Sequence, residues 1–284
     1  MKRIFALILA AIMCMMVLGA CAGKKDDGAA STGTGTGTAA DAKTPATNGT
    51  IIVGYTDYAP MNYKDDSGEL VGFDTELAKA VFEKLGYEVI FQEIVWENKY
   101  TDLASDTIDC IWNGFTANTA DDDGVMRADK VDFSYNYMEN RQAVVVKKGA
   151  GIASAEDMNG KFVVGESGSA GQTYAETFEG VNFKGFIKQT ECLTEVLAGT
   201  ADVAVVDVQL AKSYVGQGDY ADLEIVEDLS SDVEYYAIGF KKGSELTAKV
   251  NAQLEALAAD GTIAKLAEKY GLSNPVITDF SSQK

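Results

Sequence analysis

The sequence predicts an α/β protein built as two Rossmann-like lobes, and three observations carry that prediction. From Thr50 onward, short apolar runs of strand character alternate with runs of helix period. The alternation occurs twice, first over about 50–112 and again over about 162–214. The stretch Thr107 to Gly114 matches Thr200 to Asp207 in length and polarity, each being the third strand of its round. With 284 residues, 46% hydrophobic and 24% charged, the chain can bury a full core.

The first segment reads as an address. Lys2-Arg3 is followed by fifteen apolar residues, Ile4 to Leu18, and by Gly19-Ala20-Cys21: a charged start, an apolar centre too short to span a bilayer, and a small-residue cleavage site. Leu18-Gly19-Ala20-Cys21 resembles the lipobox of bacterial lipoproteins, which implies a signal peptide over 1–20 and a lipid on Cys21. An ordinary secretory signal with an incidental cysteine is the alternative. Residues 22–49 contain no Val, Ile, Leu, Met or aromatic residue and cannot pack a core. The span 21–49 is therefore expected to be a lipidated, disordered tether with an r.m.s. reach of roughly 30 Å.

In the folded part, Ile51–Tyr55 is the first strand. Phe73–Leu85 is a helix with Leu77, Val81 and Leu85 on one face, Asp74 as its cap and Gly86 past its end. Glu88–Ile94 is a strand, the stretch from Tyr100 to Ser105 a helix, and Ile108–Trp112 a strand. This βαβαβ order implies a parallel sheet. The second round has strands at Phe162–Gly165, Asn182–Ile187 and Val203–Val206. Its helices fall near Gly171–Phe178, at Glu191–Ala198 and after Asp207. A last strand, Tyr235–Phe240, and helices marked by Leu246, Val250, Leu254 and Leu257 and by Ile263–Tyr270 return to complete the first lobe. Cys110 and Cys192 fall in apolar patterns, as two buried free thiols or one disulfide.

Composition removes several functions. Lys and Arg total 24 against 43 Asp and Glu, a net charge of −19 that loss of Lys2 and Arg3 takes to −21, and this sign opposes nucleic-acid binding. The chain has no histidine, so histidine-based triads and histidine-ligated metals are excluded, and no cofactor or metal is called for. Only Arg3, Arg127 and Arg141 are present, which narrows any bidentate clamp on a carboxylate. Asp121-Asp122-Asp123-Gly124 lacks the alternating ligands and distal Glu of a calcium loop and is read as a solvated acidic loop.

Ligands of open parallel sheets sit beyond the carboxyl ends of the strands. That rule selects Tyr58, Trp96, Gly114, Thr116, Glu166, Ser169, Ala170 and Asp207, with Arg127 nearby. The set suits an α-amino acid: Arg and backbone N–H groups for its carboxylate, Asp for its ammonium, aromatic faces for its side chain. No nucleophile is paired with a base, so no catalytic residue is named. Plainer readings stand beside these: Tyr58 and Trp96 as lobe-packing aromatics, Asp207 as a helix cap, Thr116 as a turn residue.

The ordered series Gly54-Tyr-Thr-Asp-Tyr58-Ala-Pro60, Gly68 to Asp74, Ile108-Asp109, Arg127 to Ser134, Gly160-Lys161 leading to Gly168-Ser169, and Ala201-Asp202 to Asp207 resembles the extracellular solute-binding proteins of polar amino-acid ABC transporters, over about Thr50 to Leu272. The resemblance implies the type 2 periplasmic-binding-protein fold, a Venus flytrap with a two-strand hinge near Tyr137–Gln142 and Glu234–Ala237. It implies a first lobe of 50–138 plus 237–284 and a second of 139–236. By position, Tyr58 and Trp96 sandwich the ligand side chain, and Gly114, Thr116, Arg127, Ser169 and Ala170 hold its carboxylate. Asp207 holds its ammonium, and Glu166 meets its distal end, which hints at a cationic or amide side chain. The family places its arginine five residues after the threonine, whereas Thr116 to Arg127 spans eleven. Arg127 keeps the family distance to Asp132-Phe133-Ser134, and Arg141 is the fallback.

The expectation is thus a monomeric, lipid-anchored amino-acid-binding protein on the outer face of a bacterial cell membrane. It would deliver an L-amino acid to an ABC permease without catalytic turnover. An enzyme on the same scaffold, resembling cyclohexadienyl dehydratase, and the ligand-binding part of a membrane sensor are the alternatives.

Overall fold

The computed structural model describes residues 48–272 and 275–284. The signal, Cys21 and the tether as far as residue 47 lie outside the described residues. The described residues begin at Asn48, inside the span 21–49 expected to be tether. Its N–H donates to the Gly86 carbonyl (2.9 Å), its side chain donates to the Leu85 carbonyl (2.6 Å), and Glu88 N–H donates to the Gly49 carbonyl (2.8 Å). These bonds continue the ladder that pairs Thr50 with Glu88, so polar composition alone did not mark where pairing starts.

The first lobe carries a five-stranded sheet in the order Glu88–Glu93, Thr50–Tyr55, Cys110–Ile111, Gly239–Phe240, Asp132–Phe133. The three strands of the first round are parallel, as their helical crossovers require, and Gly239–Phe240 enters antiparallel to both neighbours. The second sheet runs Asn182–Phe186, Phe162–Glu166, Val203–Asp207, Gln142–Lys147, Leu223–Val226. Again three strands are parallel, while Gln142–Lys147 lies antiparallel to both flanking strands. The sheets are therefore mixed rather than wholly parallel. The reversed strand of each sheet, Gln142–Lys147 or Gly239–Phe240, directly follows a strand of the segments that carry the chain between lobes and so enters from the opposite direction.

The expected single strand Tyr235–Phe240 is two. Glu234–Tyr236 pairs antiparallel with Met138–Asn140 in a ribbon of its own, and Gly239–Phe240 joins the first sheet. The break falls where the chain changes partners: Ala237 N–H donates to the Phe115 carbonyl and Ile238 N–H to the Ser134 hydroxyl. Two sheets joined by a two-stranded ribbon make the α/β fold of two lobes that the sequence predicts.

Helix Phe73–Lys84 buries Leu77 and Val81 against the first sheet, and Val250, Leu254 and Leu257 of helix Leu246–Ala259 pack into the same core. The cap of the first helix is Gly72, not Asp74. Asp74 is the second residue of the helix, in its first turn, and fully buried. It accepts from Gly114 N–H (2.8 Å) and the Tyr137 hydroxyl (2.9 Å), and burial pushes its carboxyl up to about 7 against those two donors. Its side chain thus ties the helix to a site loop instead of capping the helix. Cys110 and Cys192 are both buried and free.

Candidate ligand-binding site

The carboxyl ends of the strands converge as the topological rule requires. Trp96, Gly114, Thr116 and Arg127 from the first lobe face Glu166, Ser169, Ala170 and Asp207 from the second around one cavity. Asn113 and Gln189, which the sequence did not single out, complete the lining. Tyr58 is not among the lining residues. It is 1% exposed, its hydroxyl shares a hydrogen bond with the Tyr236 hydroxyl (2.7 Å), and its ring lies behind Gly114. Gly114 has a φ of +57°, and a Cβ there would meet the Tyr58 ring at 2.7 Å and the Tyr236 ring at 3.0 Å. Only glycine allows the loop to pass this close to the aromatic floor.

Arg127 lies in the short helix Arg127–Lys130 and is 1% exposed. Its Nε donates to Asp121 Oδ1 (2.8 Å), its other nitrogens to the Thr116 and Gly168 carbonyls (both 3.3 Å), and its guanidinium lies 5.3 Å from the Phe115 ring centre. Arg141 is exposed, donates to the Ser231 carbonyl and does not line the cavity. Asp121 corrects the reading of the acidic loop as wholly solvated. It is 5% exposed and bridges Arg127 to Lys130 Nζ (2.8 Å), whereas Asp122 and Asp123 are exposed. Burial works to raise its carboxyl, but Arg127, Lys130 and Tyr100 hold it below the usual range. The inserted residues between Thr116 and Arg127 therefore supply the counter-ion that fixes the arginine.

Asp207 ends its strand at the N-terminus of helix Val208–Tyr214, yet its carboxylate caps no helix N–H. It accepts from Asn140 Nδ2 (2.7 Å), Gln142 Nε2 (2.8 Å) and Gln189 Nε2 (2.6 Å) instead. Burial raises its pKa, and the Gln189 and Gln142 donors oppose the rise. Glu234, on the ribbon, accepts from Gln142 Nε2 (2.9 Å), Asn140 Nδ2 (3.2 Å) and the Thr116 hydroxyl (3.2 Å). Burial and the neighbouring Asp207 charge push it up to about 7. Glu166 is 3% exposed. Burial and Asp207 push it up to about 8, and Lys99 and Gln189 pull the other way. Ser169 caps helix Ala170–Ala175 through a bond from Gln172 N–H (3.1 Å), and Ala170 is the first helical residue, whose N–H has no acceptor within the helix.

Asp121, Lys99, Gln189, Asn140, Gln142 and Glu234 escaped the sequence reading. Asn140, Gln142 and Glu234 did fall in the two segments expected to cross between lobes, which was the one signal available for them. The assembled arrangement has a guanidinium at one end and carboxylates at the other. It can grip a zwitterion by both charges.

A clamshell of two α/β lobes with an oppositely charged cleft defines a small-molecule binding protein. The chain belongs to the bacterial extracellular solute-binding proteins, family 3, whose profile matches residues 51–273. It is similar to the arginine-binding extracellular protein ArtP of Bacillus subtilis (strain 168), 30% identical over 217 residues that cover 75% of this chain and 82% of the relative. It is also similar to the ABC transporter glutamine-binding protein GlnH of Bacillus subtilis (strain 168), 30% identical over 283 residues covering 97% and 99%. Among solved structures, an ancestral arginine-binding protein bound to arginine matches with a TM-score of 0.71 and 37% identity, covering 78% of this chain and 97% of that one. These relatives are binding proteins, not enzymes. Among the described residues no helix is long and apolar enough to cross a membrane.

Proposed function

We propose that this chain is a lipid-anchored amino-acid-binding protein of the outer face of a bacterial membrane, held there by lipid on Cys21, and that it delivers its ligand to an ABC permease. The observation that carries the reading is the polarity of the cavity: Arg127 on one wall, Asp207 and Glu166 on the other. Arg127, the Thr116 hydroxyl, Gly114, Ser169 and the Ala170 N–H hold the α-carboxylate, and Asp207 holds the α-ammonium. Trp96 lies along the side chain with Tyr58 supporting the floor, and Glu166 meets a side chain that donates hydrogen bonds, cationic or amide. The relatives named for arginine and for glutamine support both side-chain classes.

The lobes, 50–138 with 237–284 and 139–236, close over the ligand about the ribbon. Closure is a population shift driven by tighter binding to the closed state. The direct test is thermal melting of ligand-freed protein against single L-amino acids, sugars, peptides and organic acids. A ligand at a hundred times its Kd adds about 2.7 kcal/mol, roughly 5–10 °C for a domain of this size. A selective rise with one or a few amino acids is the expected result, and folded protein that responds to none of them overturns the reading. Separately, Cys21→Ser should move the protein from the membrane fraction to the medium, and retention in the membrane would refute the anchor.

A further inference from the structure

We propose that Glu234 is the positioning residue of the ammonium seat: from the ribbon it fixes the two amides, Asn140 and Gln142, that hold Asp207 at the cavity. This rests on the amino-acid reading above and deepens it. Strand register brings the four side chains together. Glu234 lies opposite Asn140 in the ribbon, and Asp207 lies opposite Gln142 in the second sheet, both pairs antiparallel. Residues two apart in an extended run share a face, as do directly opposed residues, so both amides and both acids meet on one side. Asn140 Nδ2 donates to Asp207 Oδ1 at 2.7 Å and to Glu234 Oε2 at 3.2 Å. Gln142 Nε2 donates to the same two oxygens at 2.8 and 2.9 Å. An amide nitrogen owns two hydrogens, so each amide spends one on each acid and has none left.

Asp207 lines the cavity and Glu234 does not, so Glu234 acts through the amides. Asn140 shows why they need fixing. Its Oδ1 is buried and has no hydrogen-bond partner among the described residues. Nothing on that side holds the amide, and a half-turn about its last bond would set this oxygen against Asp207 Oδ1, acceptor against acceptor. Glu234 opposes that turn, because its own bond from Nδ2 would be lost as well. The Thr116 hydroxyl also donates to Oε2, at 3.2 Å. With one hydrogen, that hydroxyl serves either Glu234 or a ligand carboxylate, and the two amides stay on Glu234 when it turns. All three bonds end on Oε2, so the position requires an acceptor oxygen at that point rather than a charge.

Two substitutions separate reach from charge. Glu234→Gln can set its amide oxygen where Oε2 stands, and should keep the affinity for the L-amino acid that wild type binds best within about threefold. Glu234→Asp keeps the acid but draws its oxygens back by one methylene, and should weaken that affinity by more than about threefold. Titration calorimetry on the whole chain in detergent measures both, and urea unfolding shows that each variant is folded. The side-chain amide N–H resonances of Asn140 and Gln142 report the positioning directly in ligand-free protein: they should hold their wild-type places in Glu234→Gln and move in Glu234→Asp. Asn140→Ala, which cuts the same chain of bonds at its next link, takes the place of Glu234→Asp should that variant not fold, with the same threshold in affinity. Affinity within about threefold in Glu234→Asp, a larger loss in Glu234→Gln, or amide resonances unmoved in Glu234→Asp each overturn the assignment while the amino-acid reading stands. A wild type that binds no L-amino acid overturns both.

Discussion

In the first lobe two cations are matched before any ligand arrives: Arg127 by Asp121, and Lys130 by Asp121 and Asp123. On the wall built by the second lobe and the ribbon, Asp207 and Glu234 are held by the amide donors of Asn140 and Gln142, and neither forms an ion pair among the described residues. Burial raises the pKa of Asp207, Glu234 and Glu166 alike. An ion pair fixes a guanidinium in place, whereas neutral donors fix a carboxyl without a counter-charge, so that burial favours its protonated form until a cation arrives. The first arrangement orients an anion and the second asks for a cation. That asymmetry leads us to expect binding to depend most on the acidic wall and stability most on the basic one.

The largest effect should come from Asp207→Asn. Removing the counter-charge from a buried ammonium costs about 3–4 kcal/mol, two to three orders of magnitude in Kd. Asparagine is the better substitution, because alanine would at once strand donors of Asn140, Gln142 and Gln189 and confuse lost binding with lost stability. Calorimetry on folded protein checks this, and affinity within tenfold of wild type would break the comparison on its acidic side.

Next is Asp121→Ala, which leaves Arg127 buried without its partner and Lys130 with Asp123 alone. A loss of about 3 kcal/mol of stability is expected, as for other buried pairs deprived of one member, together with weaker ligand binding as the guanidinium reorients. Urea unfolding measures the first and calorimetry the second. An unchanged midpoint would mean that the insertion is the solvated loop its sequence suggests.

Asp121 also marks the limit of what the sequence conveyed. Strand and helix periods were legible because each core position, such as Leu77, Val81 or Val205, repeats a local rule, and eight of the nine proposed site residues line one cavity. Partnerships were not legible. Asp121, six residues before its arginine, looks like its exposed neighbours Asp122 and Asp123, and only the course of the loop separates them. Lys99 reads as an ordinary helix lysine until the second lobe is placed over it, and Asp74 reads as a cap until Gly114 and Tyr137 are brought to it. Gln142–Lys147 was given no element from sequence, and its antiparallel direction follows from the ribbon that feeds it.

Acidity should sharpen the comparison more gently. Glu166 sits at about 8, and Glu234 and Asp74 at about 7, all above their unfolded values near 4. The folded state therefore holds protons that the unfolded state has released. By linkage, the stability these groups contribute is greatest below about pH 4 and declines as pH rises toward 8. Asp121 and Asp123, with lowered values, contribute stability above their unfolded values that is lost as pH falls below about 4, outside this window. Lys99, which burial lowers to about 7, works the other way above pH 7, but one lysine acting over the last unit of the window is outweighed by three carboxyls. Ligand-free protein should thus be more stable at pH 5 than at pH 8, by at least about 2 kcal/mol, and Glu166→Gln should weaken the dependence. A melting temperature that rises from pH 5 to 8 would contradict the unpaired state of the acidic wall.

The smallest effect should come from the one ion pair among the described residues that joins the two lobes outside the cavity. Lys188 Nζ meets Glu93 at 2.8 Å, from the second lobe to the first, but the side chains are 35% and 43% exposed. Solvent and salt screen such a pair, and ordering two long side chains offsets part of the attraction, so its worth is at most about 1 kcal/mol. Glu93→Gln should weaken ligand affinity by less than about fivefold at low salt, and the difference should vanish near 0.5 M NaCl, where charges a few ångströms apart in water are screened. A larger, salt-independent loss would mean that closure depends on this rim contact as much as on the buried acids, and the contrast between the two walls would then describe the ligand's seat but not the force that shuts it.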